Sequence, residues 1–180
     1  MSNSLRPAVF FDRDGTLMED VDYCNDPAQV RPFPGTTEAL LQLKAHGYAV
    51  IVITNQSGIG RGRITLEQYT AVETRLDELI GPGVIDASYF CPHHPDEPCD
   101  CRKPLPGMAL QAIHEHGIDP ARSFFVGDKE ADINCGKAIG ARTILVETGY
   151  GKRHLNCGPD FVAKDVVAAV EFILKTSNAH

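Results

Sequence analysis

The chain contains 180 residues, of which 43% are hydrophobic and 23% are charged, a size and composition typical of a single globular domain. The formal net charge is −7 and the basic residues form no run, which argues against nucleic acid or a membrane surface as the partner. The apolar stretches are too short to span a bilayer, and residues 1–7 contain no apolar export signal. We therefore expect one domain over residues 1–180, acting as a cytoplasmic monomer on a small soluble molecule.

Apolar runs rich in Val, Ile and Phe alternate with segments of helical periodicity, a pattern typical of a parallel sheet covered by helices. In chain order, the predicted strands cover Ala8–Asp12, Tyr48–Thr54, Ala87–Phe90, Ser123–Asp128 and Thr143–Val146. The predicted helices cover Thr36–His46, Leu66–Ile80, Gly107–His116, Ala131–Ile139 and Val166–Lys175. This order predicts an α/β fold with a doubly wound parallel sheet, whose ligand site lies beyond the carboxyl ends of the strands.

Two carboxylates lie at the end of the first predicted strand and just after it, in the segment Asp12-Arg13-Asp14-Gly15-Thr16. Gly15 allows the backbone to turn closely around a bound anion. We interpret Asp12 as a nucleophile that attacks phosphorus, and Asp14 as the acid that protonates the departing oxygen and then deprotonates the hydrolytic water. The same segment also suits an ordinary turn with solvated carboxylates, so the assignment depends on the other strand ends.

Polar residues elsewhere in the chain supply what a carboxylate needs in order to approach a phosphate. Thr54 and Lys103 can donate hydrogen bonds to the transferring oxygens. Asp128 can join Asp12 in binding a hard cation, for which Mg²⁺ is the natural candidate, and Asp132 lies four residues further on. The combination predicts magnesium-dependent phosphoryl transfer.

A cysteine-rich loop covers residues 91–103. It contains one Cys-x-His pair and one Cys-x-Cys pair, a donor set suited to tetrahedral Zn²⁺, and the four predicted ligands are Cys91, His93, Cys99 and Cys101. Because the protein fills all four positions, we expect a structural zinc that shapes the loop up to Lys103. The remaining cysteines show no partner pattern and are expected to be buried or free thiols: Cys24, Cys135 and Cys157.

Residues 12–16, 54–56, 103–104 and 127–132 resemble the four ordered motifs of the haloacid dehalogenase-like phosphatases. The resemblance implies a Rossmann-like fold and an aspartyl-phosphate on Asp12. It also implies an acid/base at Asp14, phosphoryl stabilisation by Thr54 and Lys103, and Mg²⁺ held by Asp12, Asp128 and the carbonyl of Asp14. About forty residues separate Asp14 from Thr54 and include a helix, so we predict a capless enzyme with an open site.

Two zinc-bearing, capless groups of this superfamily resemble the chain: the D-glycero-D-manno-heptose 1,7-bisphosphate phosphatases and the histidinol-phosphate phosphatases. Residues 54–62, 103–108 and 22–23 resemble the heptose group. In contrast, only five residues separate His93 from Cys99, and this short loop length resembles the histidinol-phosphate group. Loop length changes at little cost, while placed polar groups define a ligand. The leading hypothesis is therefore a phosphatase for the C7 phosphate of the heptose bisphosphate, in nucleotide-activated heptose and lipopolysaccharide core biosynthesis. The sequence leaves open which anomer is the substrate.

The resemblance to the heptose group also implies a set of contacts to the phosphorylated sugar: Asp20, Val21, Asp22, Tyr23, Asn55, Gln56, Ser57, Arg102 and Lys129. Arg102 is expected to bind the phosphate that is not hydrolysed, because a guanidinium can bind a phosphate bidentately. A zinc-stabilised phosphosugar-binding module without turnover is the non-enzymatic alternative. The pair Asp12 and Asp14 disfavours it, because binding alone has little need of two carboxylates beside a phosphate.

Overall fold

The computed structural model describes residues 5–177, so part of the N-terminal segment assessed for an export signal lies outside the described residues. Six strands form one sheet in the order β3-β2-β1-β4-β5-β6, and every neighbouring pair is parallel. The strands are β1 (Ala8–Phe11), β2 (Ala49–Asn55), β3 (Ala87–Cys91), β4 (Phe124–Gly127), β5 (Arg142–Val146) and β6 (Phe161–Ala163). The predicted doubly wound α/β sheet is confirmed.

Helices flank this sheet, and short 3₁₀ turns lie in the connecting loops at Pro27–Gln29, Pro120–Arg122 and Gly151–Arg153. The helices are α1 (Thr36–Ala45), α2 (Ser57–Gly60), α3 (Leu66–Ile80), α4 (Gly107–His116), α5 (Glu130–Ala138) and α6 (Val166–Ser177). The sequence predicted neither α2 nor β6, because α2 has two glycines in four residues and β6 has only three residues. Over residues 5–177, no helix combines the length and the hydropathy that a membrane crossing requires.

Strands β1 and β2 are buried on both faces, which explains their nearly continuous apolar sequences. Along β1, Val9 and Phe11 pack into the cluster that contains buried apolar residues of α1, α3 and α6. Ala8 and Phe10 pack into the opposite cluster with residues of α4 and α5. Successive side chains of a strand point to opposite faces, so β1 joins the two halves of the core.

The strand order reverses between β1 and β4, which lie side by side in the middle of the sheet. The amide of Asp12, just after β1, donates to the carbonyl oxygen of Val126 in β4 at 3.0 Å. Crevices at such reversals bind ligands in open α/β sheets. The fold therefore brings the first predicted motif next to the fourth, which follows β4.

Helix α3 starts at a capping box in which Thr65 and Gln68 exchange side-chain to backbone hydrogen bonds of 2.8 and 3.2 Å. One side of the helix packs into the core. Tyr69 and Glu73, four residues apart, share a face, and both contact Arg13 of the first motif. Helix α3 thereby reaches the edge of the crevice.

Candidate active site

A cavity of about 360 Å³ opens at the carboxyl ends of the central strands. All the predicted catalytic and substrate-binding residues line it, with the exception of Arg102. It is also lined by residues that the sequence analysis did not assign to substrate: Arg13, Cys24, Gly58, Ala131, Asp132 and Tyr150. The residues at the strand ends thus line one cavity.

Lys103 forms the centre of a buried ion-pair cluster. Its Nζ atom lies 2.7 Å from Asp12 Oδ1 and 2.7 Å from Asp132 Oδ1, and it donates to the Ile53 carbonyl oxygen at 2.6 Å. Burial alone would lower the pKa of Lys103, but the carboxylates of Asp12 and Asp132 outweigh it and raise that pKa. The ammonium therefore stays charged beside the predicted nucleophile.

Three buried carboxylates meet next to this ammonium. Asp12, Asp128 and Asp132 each offer one oxygen, and these oxygens lie within 4.8 Å of one another. Burial, followed by the charge of Asp12, raises the pKa of Asp128 to about 8. Its Oδ2 accepts from the amide of Tyr150 at 2.8 Å, whereas its Oδ1 is buried with no hydrogen-bond partner among the described residues. A buried carboxylate oxygen that has no hydrogen-bond partner and lies beside two other carboxylates is suited to bind a hard divalent cation.

Two glycines allow the backbone to close around Asp128. A Cβ atom on Gly15 would lie 2.4 Å from Asp128 Oδ2, and one on Gly149 would lie 2.3 Å from the same oxygen. Both residues also have positive φ angles, of 86° and 55°, a region that favours glycine. The loops after β1 and β5 can therefore approach the carboxylate only as glycine backbone.

The side chain of Asp14 lies outside the carboxylate cluster. Arg13 contacts both its oxygens, with Nε 3.1 Å from Oδ2 and Nη2 3.2 Å from Oδ1. Gln56 Nε2 donates to Oδ2 of the same carboxylate at 2.9 Å and also to Thr54 Oγ1 at 2.9 Å. Because the Thr54 hydroxyl accepts from Gln56, its own hydrogen can be donated into the cavity.

Asn55 uses its side chain within the protein. Its Nδ2 donates to the Lys103 carbonyl oxygen at 3.1 Å, and its Oδ1 accepts from the Lys103 amide at 3.0 Å. This paired contact fixes the backbone of the third motif against the end of β2. The predicted substrate-binding residue therefore also positions the lysine.

Tyr150 forms part of the cavity rim and was missed by the sequence analysis. Its ring centroid lies 4.7 Å from Lys129 Nζ and 5.1 Å from Arg153 Cζ, distances at which cations are attracted to an aromatic face. Lys129 Nζ is also 3.7 Å from a carboxylate oxygen of Asp20. Tyr150 lies four residues after the last residue of β5. The expectation that the ligand site lies beyond the carboxyl ends of the strands could therefore have identified it.

Arg102 stands apart from the other predicted substrate residues. It is half-buried, it does not line the cavity, and its Nη1 atom has no hydrogen-bond partner among the described residues. Its assignment to the second phosphate stays a prediction.

The predicted zinc ligands form a second cluster. The donor atoms of Cys91, His93, Cys99 and Cys101 lie within 4.8 Å of one another. Cys91 Sγ is 3.8 Å from Cys99 Sγ and 3.4 Å from His93 Nδ1, which is 3.2 Å from Cys101 Sγ. Zn–S bonds of about 2.3 Å in a tetrahedron imply sulfur separations of about 3.8 Å, so the donor types and spacing fit zinc.

The remaining three cysteines are free thiols, of which Cys24 and Cys135 are buried and Cys157 is half-buried. Burial raises the pKa of the Cys135 thiol to about 11. The expectation of buried or free thiols is confirmed.

Comparisons with known proteins agree with this geometry. Residues 100–169 match a family model described as HAD-hydrolase-like. The chain is similar to the D-glycero-β-D-manno-heptose-1,7-bisphosphate 7-phosphatase of Pasteurella multocida, with 46% identity over 166 residues that cover 84% of this chain and 90% of that protein. It is also 45% identical to the enzyme of the same name from Yersinia pestis, over 79% of this chain and 81% of that protein.

A solved structure is similar over nearly the whole chain. It is D,D-heptose 1,7-bisphosphate phosphatase from B. bronchiseptica complexed with magnesium and phosphate, with a TM-score of 0.87 and 33% identity. The match covers 94% of this chain and 99% of that one. The chain therefore belongs to the heptose-1,7-bisphosphate 7-phosphatase family of HAD-like hydrolases.

Proposed function

We propose that the chain hydrolyses the C7 phosphate of D-glycero-β-D-manno-heptose 1,7-bisphosphate through a phosphorylated Asp12. The observation that carries the proposal is the separation of the two carboxylates of the first motif. Asp12 lies in the cation cluster beside Lys103, whereas Asp14 lies outside it and contacts Arg13 and Gln56. This separation supports attack by the carboxylate that lies beside positive charge and proton transfer by the other. The β anomer is preferred because the relatives from P. multocida and Y. pestis carry it in their names.

The reaction proceeds in two steps at the residues that line the cavity. First, a carboxylate oxygen of Asp12 forms a bond to phosphorus, the bond from phosphorus to the C7 oxygen breaks, and Asp14 donates a proton to that oxygen. Asp14 then takes a proton from a water molecule, whose oxygen attacks phosphorus and releases Asp12 and inorganic phosphate. Lys103 and the Thr54 hydroxyl hold the transferring oxygens throughout.

Asp12, Asp128 and the main-chain carbonyl of Asp14 would hold Mg²⁺, which when bound offsets the repulsion between a carboxylate and a phosphate dianion. Asp128 Oδ1, which is buried without a hydrogen-bond partner among the described residues, supports this assignment. Asp132 contributes by fixing Lys103 at 2.7 Å. In the loop of residues 91–103, the four Cys and His ligands would hold a structural Zn²⁺.

Recognition of the second phosphate requires positive charge outside the reaction centre. Lys103 lies at the reaction centre, beside Asp12 and Asp132, so the cations at the rim must meet the remaining phosphate. Lys129 lines the cavity and Arg153 lies against the same Tyr150 ring. We assign these two residues, together with Arg102, to the phosphate on C1.

The decisive experiment compares kcat/KM for each anomer of heptose 1,7-bisphosphate with kcat/KM for histidinol phosphate, in the presence of Mg²⁺. We expect the β anomer to exceed histidinol phosphate by at least about 100-fold, because the latter lacks a second phosphate to pair with the rim cations. A higher value for histidinol phosphate would assign the chain to that alternative. Tight binding of the bisphosphate without phosphate release would instead indicate the non-enzymatic sugar-binding module.

A further inference from the structure

We propose that Glu73, on helix α3, is a positioning residue that orients the acid/base carboxylate of Asp14 through the guanidinium of Arg13. The proposal rests on the proposed function, because it gives Asp14 the proton-transfer role. Glu73 does not line the cavity, so it influences the reaction through its neighbours and not by touching substrate.

The guanidinium of Arg13 bridges the two carboxylates. Its Nε and Nη2 atoms lie 3.1 and 3.2 Å from the two oxygens of Asp14, while its Nη1 atom lies 3.1 Å from Glu73 Oε2. A guanidinium is a rigid planar fork. Fixing Nη1 at Glu73 therefore fixes the plane in which the other two nitrogens meet Asp14.

The surroundings of Arg13 leave it little freedom. Its side chain is only 1% exposed, and its Cζ atom lies 5.4 Å from the ring centroid of Tyr69, one helical turn before Glu73. Burial alone would lower the pKa of Arg13, but the carboxylates of Asp14 and Glu73 outweigh it and raise that pKa. The cation is thus permanently charged and held from two sides.

Loss of the Glu73 carboxylate removes the contact that holds Arg13 from one of these two sides. The Nη1 atom would then be buried without a partner, and the guanidinium could tilt away from its two contacts with Asp14. Gln56 would still hold Asp14 Oδ2 at 2.9 Å, but a single contact allows the carboxylate to rotate. Proton transfer depends on such placement, since a displacement of about 1 Å can cost about 100-fold in rate.

The test separates proton transfer from the other steps by changing the leaving group. Release of an alkyl oxygen, as from heptose bisphosphate, requires a proton from Asp14, whereas p-nitrophenolate leaves without one. We expect Glu73→Ala to lower kcat for the bisphosphate about tenfold or more with little change in KM. The rapid burst of p-nitrophenolate from p-nitrophenyl phosphate should keep its wild-type rate. Glu73→Gln, which keeps an acceptor for Nη1, should largely restore kcat for the bisphosphate.

A control variant on the same helix and a second variant of Arg13 complete the test. Glu78→Ala also removes a carboxylate from α3, from an exposed pair with Arg75 at 3.0 Å, and should leave both reactions unchanged. Equal losses for Glu73→Ala on both substrates, or none, would overturn the proposal. If Glu73→Ala does not fold, Arg13→Lys provides the test. This substitution keeps the positive charge but removes the planar guanidinium. It should show the same dependence on the leaving group.

Asp14→Asn distinguishes failure of this inference from failure of the proposed function. We expect it to abolish bisphosphate turnover and to preserve the burst. If it retains bisphosphate turnover, the proposed acid/base role is wrong. If it behaves as expected while Glu73→Ala and Arg13→Lys behave like the wild type, only the positioning role of Glu73 is refuted.

Discussion

The ammonium nitrogen of Lys103 lies 2.7 Å from a carboxylate oxygen of Asp12, although the two residues are 91 positions apart in the sequence. Besides the Ile53 carbonyl oxygen, two other residues hold the lysine there. Asn55 binds its backbone through two hydrogen bonds, and Asp132 binds its Nζ atom at 2.7 Å. The charge that we propose to face the reacting phosphate is therefore positioned by the protein's own contacts, which would reduce the reorganisation needed during the reaction.

Asp12→Asn should abolish magnesium-dependent phosphate release, with a loss of about 10⁴-fold or more in kcat, because an amide cannot form the acyl phosphate. The side chain is nearly isosteric, so the circular dichroism spectrum and the gel-filtration profile should match those of the wild type. The measurement is inorganic phosphate release from heptose 1,7-bisphosphate. Substantial remaining turnover would contradict the assignment of Asp12 as nucleophile.

Lys103→Met should lower both activity and stability. The substitution leaves Asp12 and Asp132 buried without their shared cation, and breaking a buried ion pair in this way costs about 3–5 kcal/mol. Urea denaturation without Mg²⁺ measures the change in the free energy of unfolding, and phosphate release measures the activity. Lys152→Met is the control, since that lysine is exposed. Equal stability of the two variants would show that the cluster contributes no net stabilisation.

The residues that follow the strands could be predicted from the sequence because the relevant rule is local. A buried apolar run ends, and the first polar groups after it must lie at the same edge of a parallel sheet. Asp12, Thr54 and Asp128 were found in this way, and the cavity and the carboxylate cluster bring them together. The four residues of the predicted zinc site could also be found from the sequence, because Cys-x-His and Cys-x-Cys are short spacings within one loop.

Contacts between distant elements could not be predicted. Glu73 occupies an ordinary position in an amphipathic helix, and its partner Arg13 lies 60 residues away. Nothing local distinguishes it from Glu78, which forms a surface pair. Asn55 was assigned to substrate by resemblance, yet its amide contacts the Lys103 backbone. Such pairings depend on the packing of α3 and of the 91–103 loop, which only the folded chain defines.

Elemental analysis of the purified protein should find about one zinc per chain, and Cys99→Ser should reduce that content. Loss of zinc should lower activity as well, because the 91–103 loop ends at Lys103 and its shape places the lysine. Cys157→Ser is the matched control, as this thiol lies outside the cluster. A fully folded and fully active protein without zinc would contradict the structural role.

The last prediction concerns the phosphate that is not hydrolysed. Lys129→Ala, Arg153→Ala and Arg102→Ala should each raise KM for heptose 1,7-bisphosphate by about 10- to 100-fold, the worth of one charged hydrogen bond. They should change KM for heptose 7-phosphate much less, because that compound has no phosphate on C1.

The control is Lys152→Ala, since Lys152 is exposed and immediately precedes Arg153 but has no contact with the Tyr150 ring among the described residues. Equal losses on the two compounds would remove a residue from recognition of the second phosphate. Because Lys129 lines the cavity and Arg102 does not, we expect the larger effect from Lys129. The reverse order would mean that the loop around Arg102 turns towards the cavity when the bisphosphate binds.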